Sequence, residues 1–246
     1  MSRGLGDVYK RQDYKSHFAK RARKSLSLFG DTKQQMNSHG SNIKDIAEGL
    51  DSKQMSLDYN YRLPKAIAKV AQQIIGGGVD LMSNNQKDGG NSDYPNYPKP
   101  IITQYANPEK ELEGILTRIQ MEDLDDVAIL VPSDKEVMMV NDYLANHGIK
   151  TQVMYRTGNT VPFRTVNTLD FSNNDLPCIL TYYAAKGSEF DNVFVPFANT
   201  SNDCSRNSFY VACTRSSRSL YISYSGTKTK YLSDVNSDFI TELKAA

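Results

Sequence analysis

Val127-Ala128-Ile129-Leu130-Val131 is a run of five apolar residues, a strand with no polar face. Such runs belong to parallel sheets covered on both sides. Downstream, Asp134–His147 reads as a helix closed by Gly148, and Lys150–Tyr155 as another strand. Upstream, Ile101–Tyr105 reads as a strand and Pro108–Met121 as a helix with Leu112, Ile115, Leu116 and Ile119 on one face. Further strands are expected at Cys178–Tyr182, Val193–Phe197 and Leu220–Tyr224, and helices at Ser205–Arg215 and Leu232–Leu243. This alternation predicts an α/β fold with an open, mostly parallel sheet and flanking helices. In such sheets ligands gather at the carboxyl ends of strands, so chemistry is expected in the loops that follow them.

Nearer the N-terminus the pattern is less regular. Ser25-Leu-Ser-Leu-Phe29 alternates like a strand and ends at Gly30-Asp31, a turn pair. A polar stretch follows, with a short helix expected near Ile43–Leu50. Pro64–Ile75 reads as a helix with Ile67, Val70, Ala71, Ile74 and Ile75 on its apolar face. Pro64 falls in its first turn and Gly76-Gly77-Gly78 beyond its end, the expected start and stop signals. Residues 83–100 are rich in Asn, Asp, Gly, Ser and Pro and read as a mobile loop.

With 246 residues and 39% hydrophobic residues, the chain can bury a real core, which excludes wholesale disorder. No run of 18 apolar residues occurs, so no membrane span is expected, and the N-terminus has no apolar secretory stretch. Cys178, Cys204 and Cys213 are odd in number and share no metal-ligand spacing, which points to reduced thiols and a cytoplasmic location. His17, His39 and His147 are scattered, so no metal site is expected. Eight Lys/Arg against two Asp give residues 1–25 a net +6, leaving −5 on the remainder of a chain whose total is +1. A basic arm of that kind suits either nucleic acid or a solvated helix face.

Two phosphate-binding signatures are missing. There is no G-x-x-x-x-G-K-[ST] loop, and no G-x-G-x-x-G after a strand. What remains is a series of short polar motifs: Gly30-Asp31-Thr32-Lys33-Gln34, Asn60-Tyr61-Arg62, Thr181-Tyr-Tyr-Ala-Ala-Lys-Gly-Ser-Glu-Phe190, and Phe209-Tyr-Val-Ala-Cys-Thr-Arg215.

In this order, the four resemble motifs III, IV, V and VI of superfamily 1 helicases of the UvrD/Rep type. The resemblance implies the C-terminal part of an ATP-dependent DNA helicase: a remnant of the first RecA-like domain at 13–53 and a second RecA-like domain at 54–246. It implies ATP with Mg²⁺ as cofactor in the full-length context, held in a cleft between the two domains. Arg215 is then the arginine finger, Arg62 a second γ-phosphate contact, and Gln34 the γ-phosphate sensor. Tyr61 stacks on adenine, and Glu189, near the cofactor-binding Gly187, faces the nucleotide's ribose. Thr181, Tyr183 and Lys186 lie along single-stranded DNA. Planar, permanently charged guanidinium groups suit the stabilisation of charge on a transferring phosphoryl group.

The pattern also has departures. Tyr183 stands where the family usually has His, and Ser188 where it usually has Leu. Gln12-Asp13 resembles the end of the D-E-x-Q-D motif, yet Tyr9 and Lys10 hold the positions of its catalytic Asp and Glu. Residues 1–12 are therefore expected to be a foreign or truncated start. Only about thirty residues separate Gly148 from Thr181, where larger relatives insert a helical subdomain. The isolated chain is expected to be catalytically inactive and to need a missing N-terminal RecA-like domain as its partner. The alternative is a degenerate helicase-like module that binds nucleic acid or protein without hydrolysing ATP.

Overall fold

The computed structural model describes residues 31–36, 53, 55, 60–78, 80–82, 97–158, 164–200 and 204–245. Two compact units divide the chain, Met1–Asp58 and Tyr59–Ala246. The strand expected at Ser25–Phe29, the helix at Ile43–Leu50, the basic segment, residues 1–12, and most of the 83–100 loop lie outside the described residues.

In the first unit, Thr32–Gln34 forms a 3-10 turn. Asp31 organises it. Its Oδ1 accepts from the Lys33 amide at 2.8 Å, and its Oδ2 accepts from Gln34 Nε2 at 3.0 Å. A short acidic side chain closing on its own backbone is a usual way of building such a turn.

The second unit is built on one sheet of eight strands. The strands are β1 (Ile101–Tyr105), β2 (Val127–Val131), β3 (Gln152–Thr157), β4 (Arg164–Asn167), β5 (Cys178–Thr181), β6 (Phe190–Val195), β7 (Ser216–Ser225) and β8 (Thr241–Lys244). Their order is β4-β3-β5-β2-β6-β7-β1-β8. All pairings are parallel except β3 with β4. The helices are α1 (Lys65–Ile75), α2 (Pro108–Met121), α3 (Asp134–Asn146) and α4 (Arg206–Cys213). This is the mostly parallel α/β, RecA-like sheet that the sequence predicts.

All five residues of β2 are buried. Val127, Ile129 and Val131 pack with Leu112 and Ile115 of α2, and with Val137, Val140 and Leu144 of α3. Strand alternation turns Ala128 and Leu130 the other way. That leaves α1 and α4, packed on each other and on β7 and β6, to cover the second face. Burying each large aliphatic side chain contributes about 1.5–3 kcal/mol, so the layering follows from where the apolar residues stand.

Helix ends follow local chemistry. Asn107 Oδ1 accepts from the Lys110 amide at 2.9 Å, with Pro108 in the first turn of α2. Ser133 caps α3. His147 closes α3, its Nδ1 lying 2.8 Å from the Tyr143 carbonyl. Gly76, at φ 63°, ends α1 in the left-handed region that glycine adopts without strain. Pro64 stands just before α1 as its cap residue, rather than inside the first turn.

Several sequence expectations are corrected. The helix expected at Leu232–Leu243 is two 3-10 turns, Lys230–Leu232 and Ser237–Phe239, followed by β8. Ser233, Asp234, Asn236, Ser237 and Asp238 explain this, because short polar side chains compete for nearby backbone groups. Asn236 Oδ1 accepts from the Asp238 amide, and β8 finds ladder partners on β1. β4 carries no apolar alternation and was not expected. β6 begins three residues earlier than expected, and β7 extends from Ser216 to Ser225, four residues before its apolar run starts. Cys178, Cys204 and Cys213 are free thiols. Burial pushes Cys178 up to about 11 and Cys213 higher still, which makes both poor nucleophiles.

Candidate functional site

Phe190 opens β6 and Ser216 opens β7, and the two are paired in register. The Phe190 amide donates to the Arg215 carbonyl at 3.0 Å. Glu189 and Arg215 therefore meet at the amino-terminal ends of two adjacent parallel strands. These two candidate residues thus stand at the opposite ends of their strands from the carboxyl ends named in the sequence analysis.

Arg62 reaches the same place from the segment before α1. Asn60 sets its position: Oδ1 accepts from the amides of Arg62 (3.2 Å) and Leu63 (3.0 Å), forming a local turn. From there Arg62 Nη2 donates to the Thr214 carbonyl at 3.1 Å. Its Nε lies 3.7 Å from Glu189 Oε2, with the two side chains 37% and 45% exposed. Three segments widely separated in sequence thus converge on one edge of the sheet.

Arg215 behaves differently from the expectation. Its side chain is 1% exposed. Nε donates to the Val211 carbonyl at 3.0 Å, Nη1 to the Ser188 carbonyl at 3.2 Å, and Nη2 to Thr214 Oγ1 at 3.3 Å. An arginine finger has to reach a phosphate across a cleft, but this guanidinium is enclosed. The physical reason is that α4 ends at Cys213, so its last carbonyls need donors, and the Arg215 fork supplies one of them. Arg215 thereby ties the end of α4 to the Ser188 turn. Thr214 takes part in this tie through its hydroxyl and Ser188 through its carbonyl, while the Thr214 carbonyl serves Arg62. Neither contact has a signal in the sequence beyond membership of the motifs.

The remaining expected residues fall in two places. Tyr61 precedes Arg62 and is 68% exposed. Gly187 has φ 96°, a conformation that favours glycine, and nothing stands where its Cβ would be. Thr181 ends β5, at the opposite, carboxyl edge of the sheet. Its Oγ1 accepts from the Ala184 amide at 3.1 Å, which shapes the turn that carries the chain back across to β6. Within that turn Tyr182 is buried edge-on to Phe209, while Tyr183 and Lys186 are exposed. Gln34 belongs to the first unit and is engaged with Asp31. Among the described residues no group of three or more His, Cys, Asp or Glu could hold a metal ion.

Residues 177–223, from the start of β5 into β7, match the family model of the UvrD-like helicase C-terminal domain. This stretch, about a fifth of the chain, is similar to a UvrD-like helicase C-terminal domain. The match takes in Thr181–Phe190 and Phe209–Arg215, whereas Gln34 and Asn60–Arg62 stand outside it. The C-terminal domain of a possible DNA helicase from Lactobacillus plantarum is similar in fold at 20% identity, with a TM-score of 0.55. The alignment covers 74% of this chain and 98% of that one. The Arterivirus nonstructural protein 10 helicase is 9% identical over 59% of this chain and 34% of its own, with a TM-score of 0.41. Its complex with DNA gives 8%, 59%, 35% and 0.42. No curated protein matches the sequence. Among the described residues no helix is long and apolar enough to cross a membrane.

Proposed function

We propose that this UvrD-type portion is the ATP- and single-stranded-DNA-binding half of a DNA helicase, acting in the cytoplasm. The observation that carries the reading is the convergence of Arg62, Glu189 and the Thr214–Arg215 pair on one sheet edge. A part-exposed guanidinium anchored by one nitrogen is suited to a phosphate oxygen, which it can meet with its remaining donors. Tyr61 offers an exposed ring for adenine, and Gly187 and Glu189 offer a place for the ribose. The bound nucleotide with Mg²⁺ supplies the transferable phosphoryl group. The chain itself has no phosphate-cradling loop, so catalysis requires a separate N-terminal RecA-like domain that brings one. Arg62 is the cation that reaches the nucleotide directly. Arg215 takes its finger role either by leaving its enclosed position or by holding Ser188–Glu189 in place from behind.

On the opposite edge, the Thr181 hydroxyl, Tyr183 and Lys186 form the DNA-facing set. Thr181 Oγ1 accepts from the Ala184 amide, and its hydroxyl hydrogen is left to donate to a phosphate. The exposed Tyr183 ring can stack on a base. The enclosed Arg215 favours a second reading: a helicase-like module that binds nucleic acid or protein without ATP hydrolysis.

ATP turnover with single-stranded DNA separates the two. The purified chain alone is expected to hydrolyse ATP no faster than buffer, because nothing in it cradles the β-phosphate. Mixed with a UvrD-type first RecA-like domain, it should restore DNA-stimulated turnover that Arg62→Ala abolishes. Failure to restore any turnover in that mixture favours the non-hydrolysing module.

A further inference from the structure

Arg62 is held unequally by its two neighbours. The hydrogen bond from Nη2 to the Thr214 carbonyl, at 3.1 Å, fixes the guanidinium to the end of α4. The contact between Nε and Glu189 is looser: at 3.7 Å it is an ion pair beyond hydrogen-bond distance, and both side chains are more than a third exposed. The Glu189 backbone is nevertheless well placed, since the next residue, Phe190, is tied to the Arg215 carbonyl and to β7. Behind Glu189 lies Gly187, at φ 96° with open space around it. A carboxylate on a fixed backbone beside a part-exposed guanidinium is a tethered anion at high local concentration.

Resting on the reading of this edge as the nucleotide site, we infer that Glu189 is the exchangeable counter-ion of Arg62, a latch that a polyphosphate must displace before Arg62 can engage it. In the resting chain Glu189 holds the Nε side of the guanidinium. A phosphate chain carries more charge than one carboxylate and can accept two parallel hydrogen bonds, so it competes successfully for the same donors. The displaced carboxylate remains within a few ångströms, beside Gly187, where a ribose hydroxyl can donate to it. Anions that lack a ribose gain only the first half of this exchange. The latch thus makes Arg62 selective for a complete nucleotide over free phosphate.

Isothermal titration of the full chain with inorganic tripolyphosphate and, separately, with ATP tests this. Glu189→Gln should bind tripolyphosphate roughly twofold to fivefold more tightly than the wild type, the range that the strength of an exposed ion pair corresponds to. It should gain less, or lose, toward ATP, because the amide is a poorer acceptor for ribose. Asp191→Asn removes the same charge two residues along without touching Arg62, and should leave tripolyphosphate affinity unchanged. Arg62→Ala should remove most of the binding in both titrations. Glu189→Ala serves as a second variant and should share the tripolyphosphate gain, with an unchanged melting temperature showing that both fold. If Arg62→Ala abolishes binding but Glu189→Gln gains nothing, or gains no more than Asp191→Asn, the latch is wrong and the phosphate role of Arg62 stands. If Arg62→Ala leaves titrations indistinguishable from the wild type, the nucleotide site and the latch fall together.

Discussion

Arg215 at the amino edge and the turn at the carboxyl edge use their polar groups in opposite ways. Arg215 is enclosed and donates to Val211, Ser188 and Thr214. Tyr183 and Lys186 lie on the surface of a turn whose internal bonds are made by the backbone and by Thr181. A group spent on its own chain sets geometry, while a group left in solvent is available to a partner. Charge and position in a motif do not decide which of these a residue does; burial decides. Arg62, between the extremes, has one nitrogen committed and the rest reachable.

That contrast can be broken most sharply at Arg215. Arg215→Ala removes three donors at once, takes the guanidinium donor from the Ser188 carbonyl and leaves the Val211 carbonyl with the Thr214 hydroxyl. The expected loss is about 3 kcal/mol or more, read as a lowered midpoint in urea denaturation. A loss under about 1 kcal/mol would show that Arg215 is a surface-like group. At the carboxyl edge, Tyr183→Ala should leave the urea midpoint unchanged and cost about 1–3 kcal/mol of oligonucleotide binding per stacked base. Lys186→Ala should instead flatten the salt dependence by about 0.7 in the log–log slope. Anisotropy titrations of a labelled single strand at several salt concentrations read both effects. A Tyr183 variant that changes the salt slope, or a Lys186 variant that does not, breaks the division of roles.

The carboxyl side also has an enclosed charge, and it sharpens the comparison. Glu111, in the first turn of α2, is fully buried. Its Oε2 accepts from the Phe197 amide at 2.9 Å and from Ser223 Oγ at 2.8 Å. Burial raises its carboxyl above the usual range, opposed by the bond from Phe197. The folded chain therefore holds this proton more tightly than the unfolded chain does. Stability contributed by the protonated form is present below the ordinary carboxylate range and falls as pH rises through the raised value. Glu111→Gln should flatten that part of the stability–pH curve, measured by denaturant midpoints across pH 4–8. An unchanged curve would mean that Glu111 does not titrate differently on folding. The effect should be the smallest of these, since the amide oxygen can still accept from Phe197.

The layering was legible where apolar spacing is strong. Ile101–Tyr105, Pro108–Met121 and Val127–Val131 begin and end where their sequence pattern does, because the apolar residues that set the pattern include the ones the core buries. Arg164–Asn167 was illegible because it lies at the sheet's edge, mostly exposed, and answers to a ladder partner on β3 rather than to a core. Residues 232–243 read as helical by apolar count, but local capping by Asn236 and pairing with β1 prevail. At the candidate site, motif order announced that Arg62, Glu189 and Arg215 belong together. Which guanidinium faces outward depends on how α4 satisfies its last carbonyls, and no residue spacing encodes that.

The insertion of β7 between β6 and β1 has a consequence for how the chain is made. Ile101 pairs with Tyr221 on one side and with Thr241 on the other. At synthesis rates of 5–20 residues per second, β1 leaves the ribosome roughly 6–25 s before its nearer neighbour exists. Throughout that interval Ile101–Tyr105 has two open edges, one of which is later taken by Tyr221–Ser225 of β7. Closing a loop of this length is slow, and an unpaired strand invites association with other nascent chains. The half of the sheet nearest β8 is therefore the last to form and the most dependent on being kept apart from its own copies while it waits.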